Sequence, residues 1–136
     1  MIMKRFLLAV IAALSLMTVP SCNFSEKFIE LSVEQANASC PMAAENGLTV
    51  TEVRLSGKNV VYVYQCEEGL YDYDVLAERK DALKEAVIAG LRSQSETDKN
   101  VKAFLLALQK TQTGLIYQYN VPGAAPVEVQ VGYDEL

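Results

Sequence analysis

The residues of this chain best suited to chemistry are three cysteines and seven tyrosines, and the sequence contains no histidine. The absence of histidine excludes the usual Ser-His-Asp and Cys-His catalytic arrangements and imidazole zinc sites. The chain has 17 acidic residues, but no two of them stand out as a catalytic pair, and no nucleophile has a recognisable base. We therefore expect no enzymatic activity, no cofactor and no metal.

Cys22 ends a segment that has the layout of an export signal. Lys4 and Arg5 precede an apolar run over residues 6–19, and a small residue stands directly before the cysteine. The run is shorter than the ~20 apolar residues that a membrane-spanning helix needs. A secretory signal peptide over residues 1–21 is therefore the better interpretation.

Val19-Pro20-Ser21-Cys22 resembles the bacterial lipobox, in which an aliphatic and two small residues precede a cysteine that is lipidated and becomes the new first residue. Val19, Ser21 and Cys22 match this pattern, and Pro20 departs from it. The resemblance implies a lipid anchor on Cys22; a plain cleaved signal is the alternative. Asn23 replaces the aspartate that retains many lipoproteins at the inner membrane, so we expect the outer membrane, with the protein facing the periplasm.

The mature chain would span residues 22–136, a length typical of one domain with a workable core and here a short N-terminal tether. It keeps all 17 acidic residues, but two of the 12 basic ones, Lys4 and Arg5, leave with the signal. An acidic chain without a basic cluster repels phosphate backbones. Nucleic acid is therefore not an expected partner.

Cys40 and Cys66 remain as an even pair in an oxidising compartment, which predicts a disulfide between them. Two buried free thiols are the alternative.

An acidic loop offers the oxygen ligands that calcium prefers, and its carboxylates are Glu67, Glu68, Asp72 and Asp74. Their spacing matches no EF-hand loop. A solvated loop with an aspartate that caps the following helix explains the same residues.

The elements that position these residues follow the order α-ββ-αα-ββ. The hydrophobic patterns predict helices within 26–38, 74–93 and 98–112, and strands over 48–55, 60–66, 115–121 and 127–133. We expect Asp74 to cap the second helix, Thr97 or Asp98 to cap the third, and Gly114 to end it. The last strand alternates apolar and polar residues, as is typical of an antiparallel sheet with one wet face. We therefore predict an α+β fold: a four-stranded antiparallel sheet made of two hairpins, with helices mainly on one face.

Four tyrosines lie at matching places in two of these strands: Tyr62 and Tyr64 in one, Tyr117 and Tyr119 in the other. The surrounding segments resemble each other, which indicates either two similar halves that pair in one sheet or chance similarity between amphipathic strands. Tyrosine combines rigid contact area with a polar tip, so the four rings are a candidate binding face. The alternative is that they pack beneath the helices.

Three segments together resemble a group of small exported bacterial lipoproteins of unknown function. They are Asn37-Ala38-Ser39-Cys40-Pro41, the Val-Tyr-x-Tyr strand over 61–64 and the Leu-Ile-Tyr-x-Tyr strand over 115–119. The resemblance covers most of residues 32–136 and implies an Asn-x-x-Cys-Pro segment leading into a hairpin, then helices, then a last hairpin. It implies no catalytic residues.

These observations favour a lipid-anchored, noncatalytic binding or accessory module of the bacterial cell envelope, acting on an envelope protein or ligand. A periplasmic inhibitor of an envelope-attacking hydrolase is the second interpretation, and a rigid protruding loop such as 121–127 would favour it. A small carboxylate-dependent enzyme is the third, and a deep cleft with two carboxylates would favour it.

The lipid assignment predicts the behaviour of a Cys22→Ala variant. Without the thiol that accepts the lipid, the protein should move to the soluble fraction or remain an uncleaved precursor, as cell fractionation and immunoblotting would reveal. A Cys22→Ala protein that is still processed and still bound to the membrane would contradict the assignment.

Overall fold

The structure, a computed structural model, describes residues 25–44 and 47–136; the predicted signal peptide and Cys22 lie outside the described residues. The elements are α1 (Ser25–Ala38), β1 (Met42–Ala43), β2 (Leu48–Ser56), β3 (Asn59–Cys66), α2 (Tyr73–Glu78), α3 (Lys80–Thr97), α4 (Lys99–Thr111), β4 (Gly114–Asn120) and β5 (Val127–Val131), followed by a 3-10 turn, Tyr133–Glu135. In the described ranges, none of the helices combines the length and apolar character that spanning a bilayer requires.

The five strands form one mixed sheet in the order β1-β2-β3-β4-β5. Neighbouring strands are antiparallel except β3 and β4, which are parallel. The predicted α+β class and the joining of two hairpins in one sheet are confirmed, but the predicted four-stranded antiparallel sheet is wrong. The helices between β3 and β4 return the chain to the end of the sheet where β3 began, so β4 runs in the same direction.

The parallel junction pairs the two segments whose sequences resemble each other. Val60 lies beside Leu115, and the register continues without a shift to Gln65 beside Asn120. The internal similarity therefore marks two adjacent strands that place equivalent residues on the same face.

The helix predicted over 74–93 is two helices. Asp72 caps α2, because its Oδ1 accepts a hydrogen bond from the backbone N–H of Asp74 at 2.9 Å. Arg79 then interrupts the helical backbone before α3 begins. The prediction of a single helix capped by Asp74 is wrong, since the aspartate two residues earlier provides the cap.

The start of α4 is confirmed and its end is corrected. Asp98 Oδ1 accepts from the backbone N–H of Asn100 at 2.9 Å and of Val101 at 3.3 Å. The left-handed residue that ends the helix is Gln112, with φ of 56°, rather than Gly114. Gly114 instead opens β4, where an added Cβ would lie 2.8 Å from the Asn59 side chain.

One face of the sheet and the three long helices share a single core. Its helical members are Phe28, Ile29, Val33 and Ala36 of α1, Leu83, Val87 and Leu91 of α3, and Val101, Phe104, Leu105, Ala107 and Leu108 of α4. Glu128 and Gln130 of β5 point to the opposite face and are exposed. The helices therefore cover one face, as the amphipathic patterns predict.

Asn37 of the Asn-x-x-Cys-Pro segment joins α1 to the sheet. A register shift between Val50 and Glu52 marks a bulge in β2, and next to it the Val53 N–H donates to Asn37 Oδ1 at 3.1 Å. A bulge disturbs the hydrogen-bond ladder of a strand pair, so an acceptor from a helix is useful there. This asparagine has a structural role.

The core assignment predicts different costs for two leucines of α4. Leu108 is 0% exposed and Leu106 is 55% exposed. Leu108→Ala should lower the free energy of unfolding by about 2–5 kcal/mol, because it leaves a cavity. Leu106→Ala, the matched control, should change it by less than about 0.5 kcal/mol. Urea unfolding followed by circular dichroism measures both, and equal losses would contradict this packing.

Candidate functional site

The four tyrosines predicted as a candidate binding face lie inside the core. Tyr62 is 2% exposed, Tyr64 0%, and Tyr117 and Tyr119 1% each. They project from β3 and β4 towards the helices and contribute to the same core. The structure thus contains the alternative arrangement, packing beneath the helices, and no exposed tyrosine platform on these strands.

The four rings form a stacked series that we term the tyrosine ladder: Tyr62, Tyr117, Tyr64 and Tyr119. Successive ring centroids are 5.0, 6.1 and 5.1 Å apart, with interplanar angles of 24–26°. Burial is the main cause that raises the pKa of all four hydroxyls. The hydroxyls therefore stay protonated at neutral pH, and the ladder is a packing element.

The pairing of β3 with β4 determines where the chain leaves these two strands. Because the strands are parallel and in register, loops 67–72 and 121–126 begin side by side at the same end of the sheet. Gln65 Nε2 donates to Asn120 O at 3.3 Å and joins the last residues of this strand pair. Ligand sites in open sheets with parallel strands lie outside the carboxyl ends of those strands.

A cleft of about 430 Å³ lies between these two loops, and we call it the rim cleft. One wall comes from the loop after β3 and the start of α2, and the other from the loop after β4. Its lining residues are Gly69, Leu70, Tyr71, Asp72, Tyr73, Val121, Pro122 and Ala124. A rigid protruding loop such as 121–127 would favour the inhibitor interpretation, and Val121, Pro122 and Ala124 of this loop form one wall of the cleft.

The rim cleft combines apolar and aromatic side chains with an exposed lining that is more polar than apolar. Leu70 is 59% exposed, while Tyr71, Tyr73 and Val121 are half-buried. Burial, followed by the nearby Cys66 thiol, raises the pKa of Tyr71. Asp72 is the one carboxylate in the lining, and it is engaged as the α2 cap. This arrangement provides contact area and supplies no acid–base pair.

The acidic loop does not gather into a metal site. Across residues 25–44 and 47–136, no three cysteine or acidic side chains converge as metal ligands. Glu67, Glu68, Asp72 and Asp74 are all exposed, and the helix cap explains Asp72.

Cys40 and Cys66 are free thiols, which corrects the predicted disulfide. The short strand β1 pairs with β2 on the side opposite β3, with Met42 beside Val50, whereas Cys66 lies beside Leu48. Two strand spacings, roughly 9–10 Å, therefore separate the neighbourhoods of the two cysteines. That exceeds the Cα separation of about 7 Å that a disulfide tolerates.

Each thiol has its own surroundings. Cys40 Sγ donates to Ala36 O at 3.3 Å, and burial, then the Glu52 carboxylate, raises its pKa. Burial raises the pKa of Cys66 to about 11. Both thiols are therefore protonated at neutral pH and are poor nucleophiles.

A smaller cleft of about 210 Å³ lies at the other end of β3, and it brings two carboxylates near a lysine. Glu26 and Glu30 are exposed on α1, one turn apart. Lys58 Nζ donates to Thr111 O at 3.1 Å, and Thr111 Oγ1 donates to Ala107 O at 2.8 Å. Lys58 and Thr111 thus donate hydrogen bonds to backbone carbonyl groups near the end of α4, which favours a structural role for both.

Sequence reasoning identified the acids of loop 67–74 and missed the apolar side chains between them. Leu70, Tyr71 and Tyr73 alternate with acids ahead of a helix, and Pro122 lies in a distant loop. The available signal was the presence of large apolar residues in an otherwise polar loop. These residues come together only because β3 and β4 are parallel and end side by side.

No known protein-family model and no curated protein matches this chain. Among solved structures, the fold is similar to the crystal structure of a "putative secreted protein" from Pseudomonas aeruginosa. The TM-score is 0.61 at 10% sequence identity, over 86% of this chain and 98% of that one. At this identity the similarity shows the fold alone.

Proposed function

We propose that the mature chain is a lipid-anchored, noncatalytic binding domain of the bacterial cell envelope, and that the rim cleft is its binding surface. The observation that carries the proposal is the exposed Leu70 side chain beside the half-buried Tyr71 and Tyr73, in a cleft between two loops that leave adjacent parallel strands. The partner is an envelope protein.

Two of the four exposed large apolar side chains in the described part of the chain lie in or next to this cleft. Leu70 is 59% exposed, and Val75, on the adjoining helix α2, is 47% exposed. They lie next to half-buried Tyr71 and Tyr73. Apolar patches with tyrosine are typical of protein-interaction surfaces, where aromatic rings anchor a partner.

The chemistry of the cleft supports binding rather than catalysis. The one carboxylate in its lining, Asp72, caps a helix. Burial raises the pKa of Tyr71, which favours the protonated form of its hydroxyl. A general acid–base pair or an activated nucleophile is what an enzyme would need in this place.

The position of the anchor suits this surface. Cys22 precedes Ser25, the first residue of α1, by three residues, so a lipid on it would lie within about 10 Å of that helix end. Glu26 of α1 lines the smaller cleft together with Gly57 and Lys58, which directly precede β3. The start of α1 therefore lies near the start of β3. The rim cleft lies at the far end of this 8-residue strand, roughly 26 Å away. An anchored domain would therefore point the rim cleft away from the bilayer.

Export is supported by the signal-like pattern that ends at Cys22. The Pseudomonas aeruginosa protein with a similar fold also carries a secreted description. Placement at the outer membrane, facing the periplasm, is part of the proposal, and it rests on Asn23 after the cysteine.

Photo-cross-linking in cells tests the proposal. A photoreactive residue at Leu70 should give a discrete adduct, whereas the same residue at Leu106 should not, although the two positions are 59% and 55% exposed. Ala124→Lys places a long, positively charged side chain in the cleft lining and should remove most of the Leu70 adduct. Mass spectrometry of the adducts provides the measurement.

Ala125→Lys is the matched control, because Ala125 is exposed and adjacent but does not line the cleft. It should leave the adduct in place. Equal adducts at Leu70 and Leu106, no adduct at Leu70, or equal loss in the two lysine variants would refute the proposal.

A further inference from the structure

The rim cleft lies beside an acidic segment of the chain. Residues 67–78 contain five acidic residues and no basic one, Arg79 and Lys80 follow them, and residues 121–126 carry no charge. The five carboxylates belong to exposed residues, namely Glu67, Glu68, Asp72, Asp74 and Glu78. Like charges held close together repel, so an oppositely charged partner is favoured at this edge.

The domain itself does little to neutralise these charges. Asp72 caps α2, but across the described ranges no hydrogen bond or ion pair involves the carboxylates of Glu68 and Asp74. The ion pairs that the described residues do form, Arg54–Glu52 and Lys84–Glu135, involve none of the acids of residues 67–78. The carboxylates at the rim therefore remain available to a partner.

We infer that the rim cleft binds an extended, basic protein segment in which lysine or arginine flanks an apolar side chain. This inference rests on the proposed function and specifies its partner. The apolar side chain packs against Leu70 and Pro122, and the cations face the carboxylates. A phospholipid surface is disfavoured, because bacterial anionic headgroups would be repelled by the same acids.

Two fluorescent peptides with the same apolar residues test the inference, one flanked by lysines and the other by glutamates. They are titrated with the full lipidated protein in nonionic detergent, and anisotropy gives the Kd of each. The lysine peptide should bind at least about tenfold more tightly, and its affinity should fall as salt is raised, because exposed charges are screened.

Two charge-neutralised variants locate the effect. Glu68→Gln with Asp74→Asn should remove most of the preference for the lysine peptide. Glu30→Gln with Glu34→Gln removes the same charge from exposed positions on α1 and should keep the preference. Equal affinities for the two peptides, no binding of either, or equal loss in both variants would overturn the inference.

The failure of this inference is distinguishable from the failure of the proposed function. If the peptides bind equally while the Leu70 adduct persists and is lost in Ala124→Lys, the basic partner is wrong and the binding role stands. If the adduct also fails, the rim cleft is not a binding surface.

Discussion

The stacked tyrosines across the β3–β4 junction are the interaction on which the rest of this structure depends. A parallel strand pair is slightly less stable per residue than an antiparallel one, and it needs the long crossover that α2, α3 and α4 provide. Tyr62 beside Tyr117 and Tyr64 beside Tyr119 compensate with buried ring contacts, each worth about 0.5–1.5 kcal/mol beyond burial. The helices pack over these rings and complete the core.

The same junction accounts for the proposed binding surface. Because β3 and β4 end beside each other, the loops that follow them form the rim cleft at one end of these strands. The start of α1, which follows Cys22 in the sequence, lies near the opposite end. In the proposed function, the lipid anchor and the binding surface therefore lie at opposite ends of β3.

Local sequence patterns predicted most helices and strands, but they failed where the structure depends on how strands that are distant in sequence pair. The strands near 48–55 and 60–66 and the Asp98 cap follow from alternation and capping, which are local. The 2-residue strand β1 has no pattern of its own, and its pairing is what separates Cys40 from Cys66. The direction of β4 depends on the crossover, and the rim cleft depends on that direction. The similarity of segments 60–65 and 115–120 was the available signal, because parallel in-register pairing places equivalent residues side by side.

Nuclear Overhauser contacts between the backbones of β3 and β4 test the parallel junction most directly. In the isotopically labelled protein, the account predicts contacts that join Val60 to Leu115 and Tyr64 to Tyr119, in the same chain direction. Contacts that join Val60 to Tyr119 and Tyr64 to Leu115 would show antiparallel strands and would contradict both the ladder and the rim cleft.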